Sequence, residues 1–340
     1  MNHIVFCINR NWIKQCKALI ASIVYFNGND FTFHIIGKDF LQSDIESIKQ
    51  TVQDIKVVYH EVTQDYDERF IIRTDDYVTI ETYYRFFIAD LLSKEIDRVL
   101  YLDCDIICTG NIKDLFNEDL GLNVFGMVGD VYYDDVRPYN RLNFEKMYNY
   151  YNAGVILINM DLYRKENYMQ KLINYVLENP ERCIFHDQDA INYILRGKIK
   201  KLDWSYNIQR KFWYVPYWLD LKRLPRKCYG FDCIKRENWK DIFNSVNNPK
   251  LVHFTEKEKP WKVDCSVPYT KVWKYFFYNY AGGSEKDLEK TYVSPLGKIK
   301  RLVKKLFYKE QKNKNLFPME FYNQEVLLLE KISARTFINH

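Results

Sequence analysis

The stretch Arg98-Val99-Leu100-Tyr101-Leu102-Asp103-Cys104-Asp105 joins an apolar segment directly to two carboxylates that are one residue apart. Its first five residues predict a strand that is buried in a sheet. Residues that follow a strand lie at the edge of the sheet, so we expect Asp103 and Asp105 to lie together there. Two carboxylates with this spacing can bind a divalent cation, although two acids after a strand also occur in solvated turns and in helix caps.

Strand-like and helical patterns alternate on both sides of this stretch. The predicted strands are residues 3–8, 31–36, 55–59, 98–102, 124–128, 154–159 and 250–254. The predicted helices are residues 12–25, 41–50, 79–92, 168–178 and 187–195. Residues 211–225 are dense in Trp, Tyr and Pro, and we interpret them as an irregular aromatic loop. The alternation predicts an α/β sheet with parallel pairings, in which ligands bind beyond the carboxyl ends of the strands.

The composition excludes several classes of protein. Of the 340 residues, 47% are hydrophobic and 17% are aromatic, which excludes global disorder and provides for a sizeable core. Gly and Pro are scarce, so the chain is not collagen-like. The 50 basic and 45 acidic residues nearly cancel, which argues against a uniformly basic nucleic-acid binder. A linker pattern at residues 281–284 divides the chain into a predicted α/β domain, 1–280, and a predicted helical, basic extension, 285–340.

Targeting signals are not evident in the sequence. There is no run of 18 apolar residues, and the apolar N-terminus is soon interrupted by Arg10 and Lys14, so we expect neither a spanning helix nor a signal peptide. The eight cysteines include no Cys-x-x-Cys pair, and we expect neither a structural zinc site nor a disulfide framework. We therefore expect the chain to remain in the cytosol.

Three further groups of polar residues follow or open predicted elements. Asn152 precedes two small residues that would let a ligand approach the backbone, Asp187 opens a predicted helix, and His253 ends a predicted strand ahead of Lys259. Each has a simpler explanation when it is taken alone: a turn before a buried strand, a helix cap, and a histidine that is satisfied in the core.

Together and in this order, these stretches resemble the retaining glycosyltransferases of family 8, which include bacterial lipopolysaccharide galactosyl- and glucosyltransferases. The matching stretches are residues 2–11, 84–86, 99–107, 152–159, 187–189 and 253–261. The resemblance implies a GT-A fold, a Rossmann-like nucleotide-diphospho-sugar transferase architecture. It also implies a UDP-sugar donor, a Mn²⁺ or Mg²⁺ ion, and transfer of glucose or galactose with retention of anomeric configuration. The acceptor would be a glycan such as a lipopolysaccharide or a capsule.

The resemblance also implies roles for individual residues. Asp103, Asp105 and His253 would bind the metal, a donor set that suits Mn²⁺ but does not exclude Mg²⁺. Lys259 would contact the diphosphate, and Arg85 would lie beneath the donor sugar. The full set that it implies for donor binding is Cys7, Asn9, Asn11, Arg85, Asp103, Cys104, Asp105, Asn152, Ala153, Asp187, Gln188, His253 and Lys259.

The resemblance implies a catalytic role for Gln188, together with Asp187, Asn152 and Arg85. Asn152 and Asp187 would hydrogen-bond the sugar hydroxyls, and Gln188 would lie on the reacting face of the sugar. An amide is a poor nucleophile, so we expect departure and attack on the same face, with Gln188 stabilising the positive charge that develops on the sugar. Asp130 falls where the family often has an acid on the acceptor side.

Two positions depart from the family pattern. Asn9 stands where an aspartate usually contacts the uracil; its amide oxygen can still accept from the uracil N3–H. Glu256 stands where a glycine commonly follows the metal histidine. Its carboxylate would repel a diphosphate unless it points away or pairs with Lys257. These departures keep a second class open, a non-catalytic protein that binds a nucleotide-sugar or a glycan.

Residues 298–314 differ from the rest of the chain. They contain eight basic residues and one acidic residue, and their apolar positions have helical spacing, which predicts a basic amphipathic helix. Such a helix can lie on an anionic membrane surface, or it can pack its apolar side on the body of the protein. We favour the membrane, which implies a cytoplasmic protein at the inner face of the cytoplasmic membrane. A nucleic acid is not an expected partner, because the aromatic-rich body lacks interleaved basic residues.

Overall fold

The computed structural model describes residues 2–63, 80–220, 233–290 and 317–338. Within these ranges the strands β1 to β10 are Asn2–Cys7, Phe31–Gly37, Lys56–Glu61, Arg98–Leu102, Ile106–Cys108, Phe125–Gly129, Tyr151–Asn159, Ile199–Lys201, Ile208–Gln209 and Leu251–His253. The helices α1 to α11 are Ile13–Asn27, Gln42–Lys49, Ile88–Leu91, Val136–Leu142, Met160–Lys165, Tyr168–Glu178, His186–Ile194, Val215–Leu219, Trp239–Asn247, Thr270–Asn279 and Met319–Ile338. The 3₁₀ helices are Arg10–Trp12, Ile80–Phe87, Lys113–Asn117, Trp204–Tyr206, Arg210–Tyr214, Arg236–Asn238 and Glu285–Asp287.

The main sheet has seven strands in the order β3-β2-β1-β4-β7-β6-β8. β1 to β4 are mutually parallel, while β7 is antiparallel to both β4 and β6. Every residue of β2 is buried, as is typical of strands that helices cover on both faces. This arrangement confirms the predicted α/β class with parallel pairings.

A second sheet of three strands, in the order β5-β10-β9, lies beyond the end of β4. β10 runs antiparallel to β5 and parallel to β9. The chain therefore leaves the main sheet at Leu102 and enters the small sheet at Ile106, and the three residues between them form the junction.

The predicted helix at 79–92 differs in the structure. Residues Ile80–Phe87 form a 3₁₀ helix, and only Ile88–Leu91 are α-helical. Arg85 Nε donates to the Thr82 carbonyl at 2.9 Å. In an α-helix this carbonyl would instead accept from the backbone N–H four residues later. Tyr83 and Phe86, three residues apart, are both buried, as expected where i and i+3 side chains align.

The predicted irregular loop at 211–225 is wrong over its described part. Residues Arg210–Tyr214 form a 3₁₀ helix, and α8 follows it with a proline in its first turn, where the missing N–H costs nothing. Trp213, Tyr214 and Trp218 are buried. The aromatic density therefore reflects a covered helical segment; residues 221–225 lie outside the described part.

The predicted strand at 154–159 begins three residues earlier, because β7 spans Tyr151–Asn159. Asn152 and Ala153 are therefore strand residues, and the alternative of a turn at this point is wrong. Their position beside the end of β4 places them at the same junction as Asp103.

The C-terminal helix α11 packs on the body of the protein. Phe317, Phe321 and Ile332 are buried, and the Phe321 ring lies 4.9 Å from the Trp213 ring. The basic segment 298–314 lies outside the described residues, so its helix and its membrane contact stay predictions, as does the division at residues 281–284. Among the described helices, none is long and apolar enough to cross a membrane.

Candidate active site

Three potential metal ligands, Asp103, Asp105 and His253, meet at the junction of the two sheets and are called the metal group. Asp103 and Asp105 lie between β4 and β5, and His253 is the last residue of β10. The antiparallel register pairs His253 with Ile106, and the Phe254 N–H donates to the Asp105 carbonyl at 2.9 Å. Strand pairing thus brings a histidine from late in the chain beside two aspartates from its middle.

The histidine presents one ring nitrogen to the carboxylates. His253 Nε2 lies 3.0 Å from Asp105 Oδ1 and 3.8 Å from Asp103 Oδ2, and one potential ligand atom from each residue lies within 4.8 Å of the others. His253 Nδ1 lies 3.0 Å from Asn207 Oδ1. Since that oxygen accepts, Nδ1 donates to it, and Nε2 is the ring nitrogen that faces the carboxylates and would bind a cation. Two carboxylates and an imidazole fit Mn²⁺ or Mg²⁺.

Gly154 makes this arrangement sterically possible. A Cβ atom at residue 154 would lie 2.3 Å from His253 Cε1 and 3.0 Å from Asp103 Oδ2. Real Cβ contacts do not reach the shorter distance, so the imidazole occupies the space that any other side chain would need. Gly154, on β7, is therefore part of the candidate metal site.

Arg85 connects the metal group to Asp187. Its guanidinium lies 3.1 Å from Asp103 Oδ1 and 3.1 Å from Asp187 Oδ2, and Nη1 donates to the Ala153 carbonyl at 2.7 Å. The guanidinium also stacks on Tyr101, 4.4 Å from its ring centre. Burial would lower the pKa of Arg85, but the nearby Asp187, Tyr101 and Asp103 outweigh burial and raise this pKa.

Asp187 is a buried acceptor that faces a cavity. Its Oδ2 accepts no hydrogen bond within the described part of the chain, because the Arg85 Nε–H beside it donates to Thr82. Burial raises the pKa of Asp187 to about 7, although Arg85 opposes the shift. A hydroxyl group in the cavity that donates a hydrogen bond to this oxygen would lower the free-energy cost of its burial.

Lys259 lies on the other side of the metal group. Its Nζ donates to Asp105 Oδ2 at 2.5 Å and to the Phe254 carbonyl at 2.7 Å. Burial would raise the pKa of Asp105, but Lys259 and His253 outweigh it and hold the pKa well below the usual range. Asp105 is therefore a carboxylate at neutral pH.

A chain of amide hydrogen bonds runs from the metal group along β7. Asn207 Nδ2 donates to Asn152 Oδ1 at 2.9 Å, and Asn152 Nδ2 donates to Asp130 Oδ2 at 3.0 Å and to Gln188 Oε1 at 3.2 Å. The Ala153 N–H also donates to Gln188 Oε1, at 3.0 Å. Burial raises the pKa of Asp130, although the Asn152 hydrogen bond opposes the shift. The network fixes the orientation of each amide.

Two adjoining cavities meet at the metal group. The larger, of about 700 Å³, is lined by Cys7, Ile8, Asn9, Trp12, Cys104 and Trp261 among others. The smaller, of about 400 Å³, is lined by Asp130, Tyr132, Asn152, Ala153, Phe185, Asp187, Gln188 and His253 among others. Both are lined by Thr82, Arg85, Asp103, Asp105, Glu256 and Lys259. Of the residues predicted to bind the donor, Asn11 lines neither cavity and is exposed.

The two departures from the family pattern have structural explanations. Asn9 Oδ1 accepts from the Asn11 N–H at 3.0 Å and caps the 3₁₀ helix that follows it, so a uracil would have to share this oxygen. Glu256 adopts a left-handed backbone with φ of +68°, the conformation that glycine favours. Its carboxylate lies 3.2 Å from Arg210 and 3.0 Å from Lys211, so it is neutralised beside the cavities.

Comparison with known proteins decides the family. A family model described as Glycosyl transferase family 8 matches residues 3–265. The chain belongs to glycosyltransferase family 8. A lipopolysaccharide 1,3-galactosyltransferase of Salmonella typhimurium is 32% identical over 61% of this family 8 chain and 63% of its own length. General stress protein A of Bacillus subtilis is 26% identical over 81% of this chain and 92% of its own. The glycosyltransferase GlyA of Streptococcus pneumoniae is 28% identical, and the match spans 34% of its length.

Solved structures confirm the GT-A fold of this family 8 protein. The galactosyltransferase LgtC, crystallised with donor and acceptor sugar analogs, superposes with a TM-score of 0.68 at 20% identity. The superposition covers 84% of this chain and 98% of LgtC. The glycosyltransferase GlyE of Streptococcus pneumoniae superposes with a TM-score of 0.58 at 24% identity, over 83% of this chain and 61% of GlyE.

Sequence reasoning missed several residues of this family 8 site. Asn207 and Gln209 are buried polar residues on either side of Ile208, and Arg210 and Lys211 follow them. Gln209 Nε2 donates to the Gly129 carbonyl at 2.9 Å. Their one available signal was the run of amides and basic residues beside the aromatic segment, which carries no periodicity.

Proposed function

We propose that this family 8 protein is a metal-dependent retaining glycosyltransferase that moves glucose or galactose from a UDP-sugar to a glycan acceptor. The observation that carries the proposal is the position of Asp103, Asp105 and His253 where the two cavities meet. A nucleotide-sugar has the same division, with a nucleoside at one end, a sugar at the other and a diphosphate between them.

The lining of the cavities supports this orientation. The larger cavity has aromatic and small side chains, including Trp12 and Trp261, whose rings meet edge to face at 5.1 Å. These suit a planar base. The smaller cavity has Asn152, Asp187 and Gln188, which suit the hydroxyl groups of a sugar. In this orientation the diphosphate crosses the junction.

The charges at the junction support a divalent cation together with a diphosphate. Three carboxyl groups, of Asp103, Asp105 and Asp187, face two cations, Arg85 and Lys259. A bound Mn²⁺ or Mg²⁺ would supply Lewis-acid stabilisation of the leaving diphosphate. Lys259 would add a positive charge opposite that group as negative charge develops on it, and Arg85 would hold Asp103 and Asp187 in place.

The position of Gln188 supports transfer with retention, in which the acceptor attacks the sugar on the same face from which the diphosphate departs. Its Oε1 accepts from both the Ala153 N–H and Asn152, so this oxygen is already engaged and is a poor nucleophile. A carboxamide dipole held in this way can stabilise positive charge on the sugar without forming a bond to it. Asp187 Oδ2 would accept from a sugar hydroxyl.

An aromatic pair supports a glycan acceptor at the outer end of the smaller cavity. Tyr132 and Phe185 stack with ring centres 5.8 Å apart, and both line the cavity beside Asp130. Apolar ring faces of sugars pack on such surfaces. Phe185 is half-exposed at the rim, so a longer glycan could extend from it into solvent.

A donor panel tests the proposal. Purified protein is incubated with Mn²⁺ and UDP-glucose, UDP-galactose or UDP-N-acetylglucosamine, and release of UDP is measured with proton NMR of the sugar product. We expect one hexose donor to be preferred and the product to keep the anomeric configuration of the donor. Gln188→Ala should lower turnover, whereas Gln42→Ala, at an exposed amide on α2, should not. Binding of UDP-sugar without turnover over a broad acceptor panel would favour the non-catalytic alternative.

We also propose that residues 298–314 hold the protein at the cytoplasmic face of a bacterial membrane, where lipid-linked glycans are made. Support comes from the excess of basic residues in this segment and from the lipopolysaccharide relative. Each basic residue near an anionic surface contributes about 1 kcal/mol. Sedimentation with phosphatidylglycerol vesicles should fall when the eight basic residues become Gln. Replacing Lys49, Lys56 and Lys171, exposed on the body, should have little effect. Equal sedimentation of both variants contradicts this proposal.

A further inference from the structure

The loop between the metal histidine and the diphosphate lysine contains a strained residue. Glu256 lies three residues after His253 and three before Lys259, and its φ of +68° is in the left-handed region. A residue other than glycine adopts this conformation at a cost that shifts a local equilibrium by roughly five- to thirtyfold. Such strain persists only where neighbouring groups hold the backbone. The groups that hold this loop therefore determine where Lys259 lies.

Two consecutive basic residues hold the loop from one side. Arg210 contacts Glu256 Oε2 at 3.2 Å through Nη1 and Glu258 Oε2 at 3.0 Å through Nε. Its backbone N–H donates to Thr255 Oγ1 at 3.2 Å. Lys211 Nζ contacts Glu256 Oε1 at 3.0 Å. Both oxygens of Glu256 are thus bound by cations from one 3₁₀ helix.

The basic residues are themselves fixed. The Arg210 guanidinium is buried and lies 5.6 Å from the centre of the Phe317 ring, and Lys211 Nζ lies 4.9 Å from the centre of the Tyr132 ring. The parallel pairing of β9 with β10 holds the preceding residue, Gln209, beside His253. The backbone of Arg210 is therefore held at a fixed position relative to His253, and its guanidinium extends from there to the loop.

We propose that Arg210, Lys211, Glu256 and Glu258 form a clamp that positions Lys259 opposite the diphosphate of the donor. Arg210 is a positioning residue in this account, since it acts on Lys259 through the loop. The inference rests on the proposed function for the role of Lys259, but the order of the loop does not. The clamp compensates for the absence of glycine at residue 256.

Two substitutions at residue 256 separate the clamp from the strain. Glu256→Ala removes the ion pairs and keeps the cost of the left-handed backbone. Glu256→Gly removes the ion pairs and also the cost of the left-handed backbone, so the loop needs fewer contacts to keep its conformation. We therefore expect Glu256→Ala to disorder the loop more than Glu256→Gly does, and Arg210→Ala to act strongly only when residue 256 is Glu.

Hydrogen–deuterium exchange of the unliganded protein tests the clamp without any assumption about activity. Exchange of the amides at residues 254–259 should accelerate about tenfold in Arg210→Ala and in Glu256→Ala, and less than about threefold in Glu256→Gly, from the cost of a left-handed residue. Asp54→Ala and Asp54→Gly are matched controls, because Asp54 is also left-handed but lies in an exposed turn. Both should leave exchange at 254–259 unchanged.

Kinetics then link the loop to the donor. With the hexose donor that the panel identifies, Arg210→Ala should raise KM for UDP-sugar about tenfold with a smaller change in kcat, and Arg210→Lys should recover part of the loss. Introducing Arg210→Ala into Glu256→Gly should have a smaller effect than in the wild type. Equal exchange in Glu256→Ala and Glu256→Gly, or normal exchange in Arg210→Ala, would overturn the clamp. Absence of turnover in the wild type, with these exchange differences intact, would overturn the proposed function alone.

Discussion

At the scale of single residues, the site depends on how His253 is held. Asn207 fixes the proton on Nδ1, so Nε2 faces the aspartates, and Gly154 leaves room for the ring. Neither residue would bind the metal itself. Both affect whether the imidazole can, because loss of the groups that orient a ligand typically lowers metal affinity by about 10- to 100-fold.

Gly154→Ala should weaken metal binding by at least about tenfold, as loss of ligand orientation does elsewhere. The new methyl group would lie 2.3 Å from His253 Cε1, so the ring must move away from the aspartates. Isothermal titration with Mn²⁺ measures the effect. Gly110→Ala is the matched control, since its added Cβ meets other atoms only at 3.5 Å. An unchanged Mn²⁺ affinity in Gly154→Ala would show that the ring is not placed as described.

The sequence predicted some of these residues and not others. Asp103 and Asp105 were found because a buried strand followed by acids is a local pattern. Asn207 could not be found, because its role arises only when β9 pairs with β10, two strands that are far apart in sequence. A buried amide also has the same composition as a surface one, so only the fold distinguishes them.

At the scale of elements, three parallel strands place a row of histidines across the sheet. His3, His34 and His60 come from β1, β2 and β3. His34 Nε2 lies 2.9 Å from His3 Nδ1, and His34 Nδ1 lies 2.9 Å from His60 Nε2. Burial lowers the pKa of all three, and the neighbouring histidines add to the shift for His34, whose pKa is lowered to about 3. The row is therefore stable as neutral imidazoles.

We expect this row to make the protein less stable in acid. Between pH 6.5 and about 3 the unfolded chain binds a proton at His34 that the folded chain does not, so the free energy of unfolding falls as pH decreases. His34→Gln should reduce the slope by about 1.4 kcal/mol per pH unit between pH 6 and 4. Urea unfolding across this range provides the measurement, with exposed Gln53→Ala as control. Parallel slopes in the wild type and His34→Gln would contradict the prediction.

Element type was predictable where hydrophobic spacing decides it. Helix α1 follows its predicted spacing, with Cys16, Leu19, Ile20 and Ile23 all buried. Residues 80–87, within the predicted helix at 79–92, form a 3₁₀ helix instead. The Arg85 guanidinium donates to the Thr82 carbonyl, and this interaction shows no trace in the sequence pattern.

At the scale of the whole molecule, the C-terminal helix connects to the site through packed aromatic rings. Phe321 contacts Trp213, and Phe317 contacts Tyr214 and lies against Arg210. The residues after 317 therefore cover the 3₁₀ helix that holds the clamp. The extension at 285–340 was predicted to be helical, without any pattern that marked residues 319–338. Its docking surface could not be predicted, since it is formed by a segment whose helix was not recognised.

Phe321→Ala should lower the free energy of unfolding by about 3–5 kcal/mol, the cost typical of removing a buried aromatic ring. The ring is fully buried beside Trp213. Val326→Ala on the same helix is the control, because Val326 is exposed and should change stability little. Chemical unfolding that follows tryptophan fluorescence reports both variants. A small loss in Phe321→Ala would mean that the helix does not dock as described.

The proposed sugar transfer depends on a divalent cation bound by Asp103, Asp105 and His253, so activity with and without metal is the sharpest test of the proposed function. Release of UDP from the preferred UDP-sugar is followed in Mn²⁺ and in excess EDTA, for the wild type and for Asp105→Ala. We expect turnover by the wild type in Mn²⁺ and a loss of at least about a hundredfold in EDTA and in Asp105→Ala, since charge stabilisation of the leaving group is worth several kcal/mol. Full activity of the wild type in EDTA, or of Asp105→Ala in Mn²⁺, would contradict it.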